Sequence, residues 1–183
     1  MSKIGNQELK VPSNLTIKIV DNLIEISSKL GKVTHKVNSR FYPELTENSQ
    51  IRIKPKVENS SFITKEFKSI WGTEHRTLKN NLEGLSKGYR IALNLKGVGF
   101  KGSIINNKLL LKLGYSHDIL YDIPKNIIIK CPKQDQIVIF GINKIDVTSI
   151  AAKLKLLKKK DPYKGKGILF ENEVIILKEG KKK

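Results

Sequence analysis

The run Asp161-Pro162-Tyr163-Lys164-Gly165-Lys166-Gly167 sets one aromatic ring among lysines and glycines, and Lys158, Lys159 and Lys160 stand just before it. These residue types suit the binding of a phosphate chain. The ammonium groups neutralise phosphates, and Tyr163 offers a face to a base or a sugar. Gly165 and Gly167 remove side chains where a backbone has to come close. From Lys153 onward the chain holds eleven lysines against four acids, among them Lys178 and the terminal Lys181, Lys182 and Lys183. A helical pattern precedes this loop. The apolar run ILFENEVIIL follows it and reads as a strand, so the loop is expected to be anchored at both ends, unlike a frayed tail.

A second glycine-rich stretch, Gly97-Val98-Gly99-Phe100-Lys101-Gly102, has the spacing of a dinucleotide fingerprint. That fingerprint needs a helix after it, whose N-terminus receives the pyrophosphate. Here SIINNKLLLKL follows, which is strand-like with a turn, so the dinucleotide reading fails. A kinase glycine loop is excluded as well, because no V-A-I-K, H-R-D or D-F-G follows. Two readings stay open. One is a bulged or tightly approached strand. The other is a backbone that brings amides close to RNA phosphates, with Lys96 and Lys101 adding charge.

No other chemistry is spelled out. His35, His75 and His117 lack a second ligand at metal-binding spacing, and the scattered carboxylates form no acid–base pair. The expectation is no catalytic residue, no metal, no cofactor and no small-molecule substrate. Cys131 is the one cysteine, so no internal disulfide framework exists, and its place in the strand IIIKC marks it as a buried structural thiol. No run approaches the ~20 apolar residues that span a bilayer. The N-terminal MSKIGNQELKVPSN reads as neither a secretory signal nor a transit peptide.

The 183 residues carry a formal net charge of +18 at an ordinary hydrophobic content of 39%. A folded chain this basic is self-repelling and favours a polyanion, for which nucleic acid is the leading candidate. Lysine outnumbers arginine 31 to 4, and Ile and Asn are abundant, a bias that fits an A/T-rich coding sequence of an organelle or a bacterium.

The elements that must position these residues follow from periodicity. Residues 15–19 and 23–28 alternate about an Asp21-Asn22 turn, and KVTHKV and IRIKP read as further strands. Ile63, Phe67, Ile70, Leu78, Leu82 and Leu85, with Trp71 beside them, predict a helix from about Ser61 to Leu85, with Gly72 a weak point inside it. The second half repeats strands around GVGFKG, a turn at Asn106-Asn107, and KLLLKL with Leu109, Leu111 and Leu113 on one face. IIIKC pairs with IVIFG, and Asp146 is expected to cap a helix whose stripe is Val147, Ile150, Ala151, Leu154 and Leu157, flanked by Lys153 and Lys155. VPSNLTIKI at 11–19 echoes IPKNIIIKC at 123–131, which suggests a duplication with a period of roughly 110 residues. The fold class is therefore α+β: two similar small domains, 1–82 and 83–183, each a mostly antiparallel sheet with one packed helix.

DPYKGKGILFENEVIILKEGKKK resembles the C-terminal signature of the bacterial-type ribosomal protein six family of the large subunit. WGTEHRTLKNNLEGLSKGY, LKGVGFKG, LKLGYSHD and KVPSN fall where that family has similar segments, so the resemblance covers essentially the whole chain. Lys160 departs from it, since Pro or Ser is usual there, and so does Asp118, where Pro is frequent. The resemblance implies two similar domains and a C-terminal domain that binds large-subunit ribosomal RNA near the sarcin-ricin loop and the stalk base. It also implies neighbouring large-subunit ribosomal proteins as partners and no membrane. The RNA-contacting set is then Lys96, Lys101, Lys153, Lys158, Lys159, Lys160, Tyr163, Lys164, Gly165, Lys166, Gly167, Lys178, Lys181, Lys182 and Lys183. The location expected is the ribosome of a mitochondrion that encodes the protein itself, with a bacterial cytoplasm as the alternative. The rival function is an RNA- or DNA-binding protein outside the ribosome.

Overall fold

The computed structural model describes residues 3–46, 50–56 and 64–180. They divide into two compact units, Met1–Gly88 and Tyr89–Lys183. The division expected at 82/83 falls inside the long helix, which continues to Lys87.

The first unit contains β1 (Leu9–Lys10), β2 (Thr16–Val20), β3 (Leu23–Ser28), β4 (Gly31–Lys36), β5 (Phe41–Thr46), β6 (Gln50–Pro55) and α1 (Lys65–Lys87). Two antiparallel sheets form, β2-β3-β4 and β1-β6-β5. Asp21, at φ 52°, makes the two-residue turn between β2 and β3. The alternation in LIEI and QIRI sends Ile24, Ile26, Ile51 and Ile53 inward to full burial. There they meet the helix stripe Phe67, Trp71, Leu78, Leu82 and Leu85. Thr64 caps the helix by accepting from the Phe67 N–H at 3.2 Å, and Gly88 ends it at φ 74°. The start expected near Ser61, and Ile63 with it, lie outside the described residues. The Trp71 indole N–H donates to the Ile53 carbonyl at 2.9 Å, which satisfies the one polar atom that so large a buried ring brings in.

The second unit contains β7 (Tyr89–Lys96), β8 (Lys101–Ile105), β9 (Lys108–Lys112), β10 (Ile119–Asp122), β11 (Ile127–Lys133), β12 (Gln136–Gly141), α2 (Lys144–Leu157) and β13 (Gly167–Phe170). Its sheets are β10-β9-β8 and β11-β12-β7-β13, again antiparallel. Helix α2 packs on β7, β12 and β13, and Val147, Ile150, Ala151 and Leu154 join Leu93, Ile137, Ile139 and Ile168 in one core. The helix is capped by Asn143, whose side-chain oxygen accepts from the Ile145 N–H at 3.1 Å. The cap, expected at Asp146, therefore lies three residues earlier in the chain. Asp146 lies in the first turn, where a carboxylate still favours the positive end of the helix.

The two units share one plan, but not in the register expected from VPSNLTIKI and IPKNIIIKC. Those segments have the same turn, with Leu15 N–H donating to Pro12 O and Ile127 N–H to Pro124 O, both at 3.1 Å. One turn opens the meander β2-β3-β4, however, and the other opens the hairpin β11-β12. By order and sheet position β1 corresponds to β7, β2-β3-β4 to β8-β9-β10, β5-β6 to β11-β12, and α1 to α2. The period is thus shorter than 110 residues: Phe41 and Ile127, which open β5 and β11, are 86 apart. At that offset QIRI of β6 aligns in sequence with QIVI of β12, and their isoleucines are all fully buried. The likeness at 11–19 is a shared Pro-x-Asn turn before a strand. Among the described residues β13 has no counterpart in the first unit.

Candidate nucleic-acid interface

Helix α2 delivers the basic loop and β13 takes it away. The loop is closed in tiers. Ile168 N–H donates to Lys158 O at 3.1 Å, Asp161 N–H to Lys166 O at 2.8 Å, and Gly165 N–H to Asp161 O at 2.9 Å. The Asp161 carboxylate also accepts from the Tyr163 N–H at 2.9 Å, the local turn that Asp favours. Closing so short a loop requires a left-handed residue, supplied by Gly165 at φ 67°. Gly167 is buried. A Cβ on it would stand 2.7 Å from Lys160 Cα and 2.9 Å from Lys159 O, so the two legs of the loop touch there. Both glycines thus have a reason within the chain itself, separate from the close approach to a phosphate read from the sequence.

The strand expected through ILFENEVIIL ends at Phe170. A turn with Glu173 N–H donating to Phe170 O at 3.0 Å sends the chain back across the loop, where Lys178 N–H donates to Pro162 O at 2.9 Å. The reversal places Glu173 between three elements. Its carboxylate accepts from Lys155 Nζ of α2 at 2.6 Å and from Lys160 Nζ of the loop at 2.8 Å. It also accepts from the Phe170 N–H at 3.3 Å. Hydrogen bonds from Lys155 and then Lys160 hold its pKa down at about 2 against a slight opposing effect of burial. The Lys155 ammonium also lies 4.5 Å from the Phe170 ring centroid.

At the end of α2 the Tyr115 hydroxyl donates to the Leu157 carbonyl at 2.9 Å, a group the helix leaves unpaired. The Lys158 ammonium rests 4.0 Å over the Tyr115 ring. Glu173 and Tyr115 were not singled out in the sequence. The only signal for Glu173 was a carboxylate set among so many lysines.

The expected contact residues are therefore differently employed. Lys159, Lys164, Lys166 and Lys178 are exposed, with no ion-pair partner among the described residues, and Tyr163 is 59% exposed beside them. Lys158 is partly covered by Tyr115, and Lys160 is held by Glu173. Lys96 joins the loop through strand register, since it pairs with Gly167 where β7 meets β13. Lys153 is exposed on α2. Lys101 faces Lys112 across the other sheet and is not drawn into the loop. Lys181, Lys182 and Lys183 lie outside the described residues.

GVGFKG is a tight turn between β7 and β8. Phe100 N–H donates to Gly97 O at 3.1 Å, and Gly102 N–H donates to Gln134 O at 2.7 Å. A Cβ on Gly97 would stand 2.8 Å from the Phe100 ring, and Gly99 takes φ 79°. The tight-approach reading is what the geometry supports. Cys131 is half-buried, and burial pushes its thiol pKa up, away from reactivity. Among the described residues no three His, Cys, Asp or Glu side chains cluster to hold a metal, and no helix is long and apolar enough to cross a membrane.

Residues 96–171, the span from the end of β7 to just past β13, match the family model described as ribosomal protein L6. Over the full length of both chains the protein is 42% identical to large ribosomal subunit protein uL6m of Reclinomonas americana. It is 40% identical to large ribosomal subunit protein uL6 of Paramagnetospirillum magneticum and 36% identical to that of Methylorubrum extorquens, again over the whole of each. The chain belongs to the ribosomal protein L6 family.

Proposed function

We propose that the protein is a structural, non-catalytic component of the large ribosomal subunit. In this reading it grips ribosomal RNA through the loop at 158–167 and the tail that folds back over it. One observation carries the reading: four ammonium groups with no ion-pair partner among the described residues and an exposed tyrosine are mounted on a backbone that its own hydrogen bonds hold closed. Lys159, Lys164, Lys166 and Lys178 neutralise phosphates, Tyr163 packs on a sugar or base, and Lys96 extends the basic strip. Recognition is by shape and charge, since no arginine fork stands in the loop to read a base edge. The family resemblance supports a position near the sarcin-ricin loop and the stalk base, among neighbouring ribosomal proteins. The likeness to uL6m and the lysine- and isoleucine-rich composition support a mitochondrial ribosome, and the uL6 relatives support a bacterial one as the second reading.

The test is binding of the full chain to a large-subunit ribosomal RNA transcript across a salt series. For a duplex contact, each phosphate neutralised contributes about 0.9 to the slope of log affinity against log salt. The double variant Lys164→Ala, Lys166→Ala is expected to bind more weakly with a slope reduced by about 1 to 2. An unchanged affinity and slope would remove the loop from the interface. Chemical footprinting of the same complex locates the contact on the RNA. Protection away from the sarcin-ricin loop and stalk base would reject the proposed position.

A further inference from the structure

Resting on the RNA-facing reading of the loop, we propose that Glu173 is a positioning residue for RNA binding: its negative charge strengthens the grip on a polyanion by holding the loop in shape. A carboxylate beside a phosphate-binding surface should by simple electrostatics weaken binding. The geometry points the other way. Glu173 receives Lys155 from α2 and Lys160 from the loop, one on each oxygen, and the Phe170 amide at the end of β13. Helix, loop and strand end are thereby tied at one group whose side chain is only 18% exposed. The loop needs such a tie, because Lys158, Lys159, Lys160, Lys164 and Lys166 repel one another within nine residues. An untied loop would have to be ordered by the RNA, and ordering side chains and backbone on binding lowers affinity. Lys160 changes role accordingly, from a phosphate contact to a strut.

Glu171 supplies a matched control. It is an exposed acid two residues away, and its side chain has no partner among the described residues. Glu173→Gln and Glu171→Gln raise the net charge equally, in the same turn of chain. Each full-length variant is titrated with the large-subunit ribosomal RNA transcript at one salt concentration, and amide hydrogen exchange of free protein is followed at Asp161, Tyr163, Gly165 and Ile168. The expected result is binding about three- to tenfold weaker for Glu173→Gln, equal or tighter binding for Glu171→Gln, and faster exchange of the four amides in Glu173→Gln alone. Binding by Glu173→Gln as tight as the unaltered chain would overturn the proposal, as would unchanged exchange of its loop amides. The exchange measurement uses no RNA, so it judges the tie even where the Lys164→Ala, Lys166→Ala variant has shown that the loop does not face RNA.

Discussion

Gly167 packs directly on the backbone of Lys160: a Cβ on the glycine would meet the lysine's Cα at 2.7 Å, with Lys159 O and Lys160 N close behind. Nothing there is the far end of a flexible side chain, and Gly167 holds φ at 145°. Gly167→Ala is therefore expected to cost about 1–3 kcal/mol, from strain and displaced backbone together. Urea unfolding measures the loss, and faster exchange of the Ile168 amide would show that it is centred on the loop.

The opposite sign is expected at Gly72. It sits within α1, and an added Cβ there would meet nothing within 4 Å. Gly72→Ala should stabilise the first unit by about 0.5–1 kcal/mol, by restricting the unfolded chain and favouring the helix. Trp71 is the only tryptophan and belongs to that unit, so its fluorescence reports the transition in urea.

His75 is 3% exposed, and its Nε2–H donates to the Gln7 carbonyl at 3.1 Å. Burial, assisted by Lys79 and Arg76, holds its pKa below the ordinary 6.5. The folded protein keeps it neutral while the unfolded chain protonates it. Its contribution is complete above about pH 6.5 and declines as pH falls below that value, by at most about 1.4 kcal/mol per pH unit. Unfolding followed by Trp71 fluorescence should show this loss between pH 7.5 and 5.5, and His75→Gln should flatten it.

Glu173 titrates in a lower window. Its folded pKa of about 2 lies below the ordinary 4.5, so the stability it contributes is present above about 4.5 and is lost as pH falls toward 2. The Glu173 carboxyl carbon shift, followed by NMR, should show the low midpoint. Replacing Lys155 with Met should raise that midpoint, because Lys155 is the largest cause of the depression.

Tyr115 acts on the end of α2 through two contacts that can be separated. Tyr115→Phe removes the bond to Leu157 O and should cost about 0.5–1.5 kcal/mol. Tyr115→Ala also removes the surface under Lys158 and should cost roughly 0.5–1 kcal/mol more. A double-mutant cycle with Lys158→Met in urea unfolding isolates the second contribution.

Much of this was legible in the sequence where periodicity and turn chemistry agree. Ile24 and Ile26, Leu109 and Leu111, and the α2 residues Val147, Ile150, Ala151 and Leu154 are buried as their spacing requires, with Leu157 half-buried at the end of the stripe. Asn106 and Asn107, at φ 48° and 60°, make the turn their dipeptide announced. What failed depended on contacts between segments distant in sequence. ILFENEVIIL has the composition of a long strand, but Glu173 finds Lys155 and Lys160 and turns the chain after Phe170. The lysines of the loop could be counted from the sequence. Their division into exposed and engaged could not, because Tyr115 and Glu173 come from other parts of the chain. The sequence shows the repeat in the wrong register for a related reason. A Pro-x-Asn turn is a strong local signal, whereas the equivalence of QIRI and QIVI emerges only from sheet order.

Strand β13 has a second consequence. It covers the side of β7 away from β12 from Leu93 to Lys96, and the Glu171 N–H adds a bond to the Ala92 carbonyl. Without it β7 would present a long row of unpaired amides and carbonyls, a template for another chain to add to. The edges that remain are the short start of β7 at 89–91, β13 itself, only four residues long, and β11, which carries Lys130, Pro132 and Lys133. All three are poor templates, being short or interrupted by proline and charge. The segment that closes the basic loop thus also covers the half of β7 to which another copy of the chain could otherwise add a strand. Shortening the chain ahead of Gly167 would expose that edge as well as remove the loop's anchor, so self-association is expected to accompany any loss of binding in a truncated protein.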